Sequence, residues 1–290
     1  MRVLVTGGSG NLGLVLADLF TKHSIDVTLV DKRPSPDGRR VEIADILDFE
    51  EMVRLCRGHD VVVHTAALHG IHREMATELD FLRLNVLGAH NVLTAASRAE
   101  AKRAIYLSST SVYGVTRRSN SGVAAYCDES TPIAPRDIND LCKALGEQLC
   151  EYFERVTGMQ CIRLRCGRFF ADGWASFNVA KLSGAIDVVD VAQAVYLATT
   201  AERIPTSLLC VASPTRFQVE DLAALAQAPE QVIEKRYPGV TALFAAHMIE
   251  FPKSIHRVVD TAAAREALGF EAEASFERFL GELASIGEAR

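Results

Sequence analysis

No apolar run in this chain approaches the roughly 18 residues that a membrane-spanning helix requires. No cysteine pair has CxxC spacing and no His/Cys group has the spacing of a zinc site, so no metal is expected. Internal repeats and low-complexity tracts are absent. Aromatic residues make up only 7% of the chain, with a single tryptophan. Basic residues are not in excess either. The 31 Lys and Arg stand against 37 Asp and Glu, a net charge of −6 that argues against a nucleic-acid partner. Seven scattered cysteines, an odd number, fit a reduced cytoplasmic chain better than a disulfide scaffold. The opening MRVLVTGGSG runs from one basic residue straight into a strand-like segment, without the apolar region of a leader. The expectation is a soluble, cytoplasmic protein with no membrane and no nucleic acid among its partners.

What is present is globular. The 290 residues are 49% hydrophobic, enough to build a large core without covalent staples. Short β-branched runs at Arg2–Thr6, Asp26–Asp31, Asp60–Thr65, Ala104–Ser108 and Gln160–Arg165 read as buried parallel strands. Between them, Asn11–Lys22, Phe49–Arg57, Leu79–Glu100 and Asn139–Thr157 carry apolar residues at three- and four-residue spacing. Strand alternating with helix at this rhythm predicts an α/β fold, a doubly wound parallel (Rossmann) sheet. Past Arg165 the rhythm falters: Cys166–Ala185 is irregular, Asp187–Thr200 returns as a helix, and Ser207–Ser213 gives one more strand. The division expected is a dinucleotide-binding domain at 1–165 plus 186–213, and a small substrate-binding cap at 166–185 plus 214–290.

The first strand runs into Thr6-Gly7-Gly8-Ser9-Gly10-Asn11-Leu12-Gly13 and then a helix. Glycine at 7, 10 and 13 lets the backbone turn tightly and approach a pyrophosphate, which the following helix meets with its unsatisfied N–H groups. The second strand ends in Asp31, whose carboxylate can accept from both ribose hydroxyls and would repel a 2′-phosphate. NAD is therefore favoured, while Lys32 and Arg33 just beyond keep NADP open.

These residues resemble the cofactor motif of the extended short-chain dehydrogenases/reductases, the NAD-dependent epimerase/dehydratase family. Further segments agree in order. Ala44-Asp45-Ile46-Leu47-Asp48 resembles the family's adenine-contacting pair, which implies a cofactor role for Asp45 and Ile46. His64-Thr65-Ala66-Ala67 resembles its segment beneath the cofactor, and Asn85-Val86-Leu87-Gly88 its Asn-Val-x-Gly helix start. Ser108-Ser109-Thr110-Ser111-Val112-Tyr113-Gly114 resembles its strand end, and the tail Asp260–Phe270 its C-terminal signature. The resemblance implies cofactor contacts at Ala66, Ala67, Asn85 and Lys143, and a homodimer built on helices 79–100 and 139–157.

The family's catalytic set is a tyrosine acid/base, a lysine four residues later and a serine from the preceding strand. Positions i and i+4 share a helix face, which sets the ammonium beside the phenol and lowers its pKa. Here Lys143 matches the lysine and Ser109 the serine, but the tyrosine position is Asn139. An amide does not exchange a proton near neutrality, so it can orient a substrate oxygen without serving as acid or base. Two residues offer themselves as substitute proton carriers. His69 follows the Ala66-Ala67 pair and titrates in the useful range; Tyr126 lies in the loop approaching Asn139. Each has an ordinary surface or packing reading beside the catalytic one.

On the substrate side, Arg168, Asn178, Lys181 and Ser183 are the polar groups expected to meet a substrate, the cations suiting a carboxylate or phosphate. The short stretch after Gly167 resembles the smaller family members, such as uronate dehydrogenases. Two functions follow. One is an NAD-dependent oxidoreductase or epimerase acting on a sugar, uronate or nucleotide sugar by hydride transfer, without the usual tyrosine. The other is a catalytically inactive, regulatory dinucleotide-binding protein. The Ser109-Thr110-Ser111 run, where sugar 4,6-dehydratases carry Thr-Asp-Glu, disfavours dehydration.

Overall fold

The computed structural model describes residues 1–115 and 122–288. Residues 116–121, inside the expected first domain, and 289–290, at the end of the expected cap, lie outside the described residues. Seven strands form one sheet: β1 (Arg2–Thr6), β2 (Asp26–Asp31), β3 (Glu42–Ile43), β4 (Val61–His64), β5 (Arg103–Ser109), β7 (Gln160–Cys166) and β8 (Leu208–Val211). Their order is β3-β2-β1-β4-β5-β7-β8, and every pairing is parallel. All the carboxyl ends therefore open on one side, with the reversal of strand order between β1 and β4, where such sheets bind ligands.

The strands are apolar on both faces because both are covered. Val3, Val5, Val61, Val63, Ile105 and Leu107 pack with α1 (Asn11–Lys22) on one side. Leu4, Val62, Ala104 and Tyr106 pack with α2 (Phe49–Cys56) on the other. This is the period-two alternation of a strand, hidden in the sequence because neither face meets water.

The stretch expected as one helix from Leu79 to Glu100 is three pieces: α3 (Glu78–Phe81), a π-helical turn at Leu82–Leu87, and α4 (Gly88–Arg98). Ile46 fills the space that a side chain at Gly88 would need, so α4 lies against it. The helix stops before Glu100, which adopts a left-handed φ of 58°. Next, α5 (Ile138–Thr157) begins at Asp137, whose side chain accepts from the Asp140 N–H at 3.0 Å. Cys166–Ala185, expected as irregular, contains α6 (Trp174–Ala180) and a 3₁₀ turn at Lys181–Ser183. The helix expected at Asp187–Thr200 is α7 (Val188–Thr200), with Asp187 as its cap.

Three short strands were not foreseen, the two-residue β3 at the sheet edge and two more outside the large sheet. β6 (Ala125–Cys127) and β9 (Arg257–Val259) make a separate parallel pair, too short for a periodicity to register. Beyond β8, α8 (Leu222–Gln227), α9 (Pro229–Arg236), α10 (Val240–Ala246), α11 (Ala262–Leu268) and α12 (Phe276–Glu288) complete the chain. Leu225, Ile233, Tyr237, Phe244, Phe276 and Phe279 form a separate apolar cluster there, which also takes in Ala124 and Leu182. Among the described residues no single helix is long and apolar enough to cross a membrane.

Candidate active site

A cavity of about 760 Å³ opens at the carboxyl ends of the strands, within the size range of small-molecule sites. Gly7 and Gly13 line it for steric reasons. Gly7 has φ +76°, and a Cβ there would lie 2.6 Å from Thr65 Oγ1 and 2.8 Å from the Ala66 nitrogen. A Cβ on Gly13 would lie 2.7 Å from Gly8 Cα. Helix α1 starts after Gly10 with no side-chain cap, and Gly10, Asn11, Leu12 and Gly13 all line the cavity. Uncapped N–H groups at a helix start suit a pyrophosphate.

Asp31 is held at the same end. Its Oδ2 accepts from the Ser9 N–H at 3.1 Å and its Oδ1 from the Arg33 N–H at 3.1 Å. Each oxygen keeps a lone pair for a ribose hydroxyl. Asp45, Ile46, Ala66 and Ala67 line the cavity as well. Asn85 does not. Its Oδ1 accepts from the Leu68 N–H at 2.7 Å and its Nδ2 donates to the Leu68 carbonyl at 2.8 Å. The π turn aims that amide at the loop, and Asn85 shapes the cavity wall from behind.

Ser109, Asn139 and Lys143 line the same cavity. The Ser109 hydroxyl accepts from the Ser111 N–H at 3.1 Å, which fixes it at the end of β5. Lys143 is 6% exposed, donates from Nζ to the Leu107 carbonyl at 2.6 Å, and lies over the Tyr106 ring. Burial pulls its ammonium pKa down to about 8. Asn139 Oδ1 and Ser111 Oγ are buried, line the cavity and have no hydrogen-bond partner among the described residues. Buried polar atoms are nearly always paired, so these two mark where a ligand's polar groups belong.

Behind this wall, Arg165 donates to Glu147 from Nε at 3.0 Å and from Nη2 at 2.8 Å. The Ser108 hydroxyl donates to the same Glu147 carboxylate at 2.5 Å. Arg165 also donates to Tyr113 Oη at 3.2 Å, and that phenol donates to the Asp128 carbonyl. The cluster ties α5 to β5 and β7 and so sets the spacing of Ser109 and Lys143.

The substitute proton carriers fare differently. His69 lines the cavity against Phe170, but burial, with Lys143 and His72 nearby, drives its pKa down to about 3. It does not titrate near neutrality. Tyr126 sits on β6, is 39% exposed and is outside the cavity lining. Burial and Asp260 raise its pKa.

Of the four expected substrate residues only Arg168 lines the cavity. The Asn178 amide donates to the Trp174 carbonyl, buried Lys181 lies over the Phe177 ring, and Ser183 offers its carbonyl to Arg257. The residues that sequence reasoning missed are Phe169, Phe170, Ser111 and Arg257. Arg257 enters from β9, donating to the carbonyls of Ser183 at 3.0 Å and Thr110 at 3.2 Å. Nothing local to Arg257 signals this, since strand pairing alone brings it in.

The glycine cradle, the uncapped helix start and the ribose-ready Asp31 fit a dinucleotide. The model of the NAD dependent epimerase/dehydratase family matches residues 3–203. This chain belongs to that family. The family's cofactor is NAD. A dTDP-glucose 4,6-dehydratase of Streptomyces niveus is 30% identical over 184 residues, 57% of this chain and 53% of that protein. A uronate dehydrogenase of Pseudomonas syringae pv. tomato is 28% identical over 189 residues, 61% of this chain and 66% of that protein. The chain thus spans about half to two thirds of the length of these relatives. Among solved structures, a short-chain dehydrogenase/reductase superfamily protein from Agrobacterium tumefaciens with bound NAD has a TM-score of 0.73 at 19% identity, covering 100% of this chain and 98% of that one. MoeE5 in complex with UDP-glucuronic acid and NAD has a TM-score of 0.72 at 21% identity, covering 99% and 100%. This structural likeness shows that the fold is shared.

Proposed function

We propose that this chain is an NAD-dependent oxidoreductase or epimerase of a sugar, uronate or nucleotide sugar, working by hydride transfer without a tyrosine acid/base. The observation that carries the reading is one cavity lined by the glycine cradle, Asp31, Ser109 and Lys143, with Arg168 and Arg257 also on its wall. Bound NAD supplies the hydride acceptor. Ser109 donates to the reacting oxygen and Lys143 fixes the cofactor's ribose. Arg168 and Arg257 meet a carboxylate or phosphate, Phe169 and Phe170 form the apolar wall beside it, and Asn139 and Ser111 orient hydroxyls. The cap at 166–185 plus 214–290 closes over the domain at 1–165 plus 186–213. The apolar cluster around Phe244 supports that division, although Ala264, Phe270 and Ala272 pack in the core of the large sheet, and the β6–β9 pairing adds residues 125–127 to the cap side.

A homodimer is part of the reading. Leu79 on α3 and Leu141, Tyr152 and Val156 on α5 are all more than 40% exposed, an apolar strip for a second copy to cover. The seven buried cysteines form no disulfide among the described residues, which suits a cytoplasmic protein.

The test is formation of reduced cofactor with NAD and a panel of sugars, uronates and nucleotide sugars, wild type beside Asn139→Tyr. A phenol next to Lys143 is expected to raise turnover at neutral pH by at least about tenfold. An epimerase returns its hydride, so product composition is measured in parallel. If neither protein changes any substrate while both bind NAD, the inactive, regulatory dinucleotide-binding reading replaces this one; Asn139 is the observation that favours it. Asp31→Ala is expected to weaken NAD binding by about tenfold or more and to erase the preference over NADP, by calorimetry. Unchanged selectivity would remove Asp31 from the ribose site.

A further inference from the structure

We propose that Lys143 itself carries the proton of the reaction, and that Asn139 is the positioning residue that holds the substrate's hydroxyls before it. The proposal rests on the hydride-transfer reading above and assigns the role that the missing tyrosine leaves open.

The geometry supports it in three ways. First, Lys143 and Asn139 are one helical turn apart on α5 and line the same cavity as Ser109. Second, the Leu107 carbonyl accepts from Nζ at 2.6 Å. A neutral amine keeps that bond with one N–H and has its second N–H and its lone pair left over, in a residue that lines the cavity. Third, Asn139 Oδ1 is buried with no hydrogen-bond partner among the described residues, which leaves it free to accept from a substrate hydroxyl.

Other cavity groups serve the role less well. The guanidinium groups of Arg168 and Arg257 are donors with no acceptor site for a proton. Asp31 and Asp45 lie at the ribose and adenine end. His72 is the nearest rival, but its Nδ1 already accepts from the His69 N–H at 2.9 Å.

The surroundings of Nζ set its titration. On α5 the facing groups are Cys142, Glu147 and Cys150, and on β7 Cys166. From the β4 side come His64 and His69, and from β5 the Tyr106 ring. Glu147 is engaged by Arg165 and Ser108, so burial prevails and the pKa falls to about 8. A lysine there has a large neutral fraction where an ordinary lysine has almost none.

In the oxidising direction the carbinol O–H proton passes to neutral Nζ, which becomes an ammonium. The O–H electron pair forms the second C–O bond, and the C–H pair leaves as hydride to the oxidised nicotinamide. The ammonium then returns its proton to water. Because the neutral amine is the active form, the oxidation rate rises with pH through about 8 and then levels.

The experiment uses the full chain with NAD. Trace acetic anhydride labelling across pH, read by peptide mass spectrometry, gives the midpoint of Lys143 in the wild type without any variant. The oxidation rate is followed over the same range for wild type, Lys143→Arg, Lys143→Gln, Asn139→Ala and His72→Gln. Expected are a labelling midpoint near pH 8, the same midpoint in the rate, and a loss of at least about hundredfold in kcat for both Lys143 variants. NAD affinity of both Lys143 variants is measured beside kcat, so that a lost ribose contact is told apart from a lost proton carrier. Asn139→Ala should raise KM with the pH midpoint unmoved. A labelling midpoint above about 10, as for an ordinary lysine, overturns the proposal. So does a Lys143→Arg enzyme with a tenth of wild-type turnover, or a pH limb that disappears in His72→Gln. If the wild type transforms no substrate, the function proposed above fails, whereas the labelling midpoint still decides whether Lys143 is the titrating group.

Discussion

Gly13→Val is expected to abolish dinucleotide binding, with a loss of at least about hundredfold in NAD affinity by calorimetry or protein fluorescence. Even a bare Cβ at this position would lie 2.7 Å from Gly8 Cα and press on the Gly7 carbonyl. Both contacts are backbone, so no side-chain rotation relieves them. The loop must lift, or α1 must retreat, and either movement takes the uncapped N–H groups away from the pyrophosphate. Overpacking also costs about 1–3 kcal/mol of stability. A chain that still melts cooperatively but no longer binds NAD separates the two effects. Binding within threefold of wild type would show that the pyrophosphate lies elsewhere.

Glu147→Ala is expected to cost about 3–5 kcal/mol of folding stability, read as a fall in the urea midpoint. Both partners of the Glu147–Arg165 pair are 5% exposed by side chain. Removing the carboxylate leaves the guanidinium charged and buried, and takes the acceptor from Ser108 as well. That is a large fraction of the 5–15 kcal/mol available to an ordinary domain. Glu147→Gln keeps the shape and one acceptor, so its loss should be smaller. A midpoint for Glu147→Ala within about 1 kcal/mol of wild type would mean that water replaces the carboxylate and that the pair does not brace the catalytic wall.

The parts of the site legible in the sequence are those written within one strand–turn–helix unit. Gly7, Gly13 and Asp31 belong to adjoining elements at the start of the chain, where local geometry and chemistry coincide. Lys143 and Asn139 were placed by the resemblance to the family's catalytic helix, and one helical turn keeps them on one face. Other residues required contacts that chain order conceals. The π turn at Leu82–Leu87 rotates Asn85 from the cofactor to the Leu68 backbone. Phe170, far along the chain, packs on His69, whose buried setting removes it from the neutral range. Tyr126 precedes Asn139 closely in sequence, yet β6 pairs with β9 and keeps it off the cavity. Arg257 reaches the cavity through that same pairing. The fold was legible further than the site because alternating strands and helices repeat, whereas a three-residue strand leaves no period to read.

The pairing of Ala125–Cys127 with Arg257–Val259 also bears on how the chain matures during synthesis. Every strand of the large sheet up to β7 precedes residue 167, so that layer can assemble while the remainder is still being translated. β6 emerges with it, but its strand partner β9 follows only at Arg257, and pairings at such separation form slowly. The cofactor cradle is thus ready early on the ribosome, and the wall carrying Arg257 is the last part of the cavity to close.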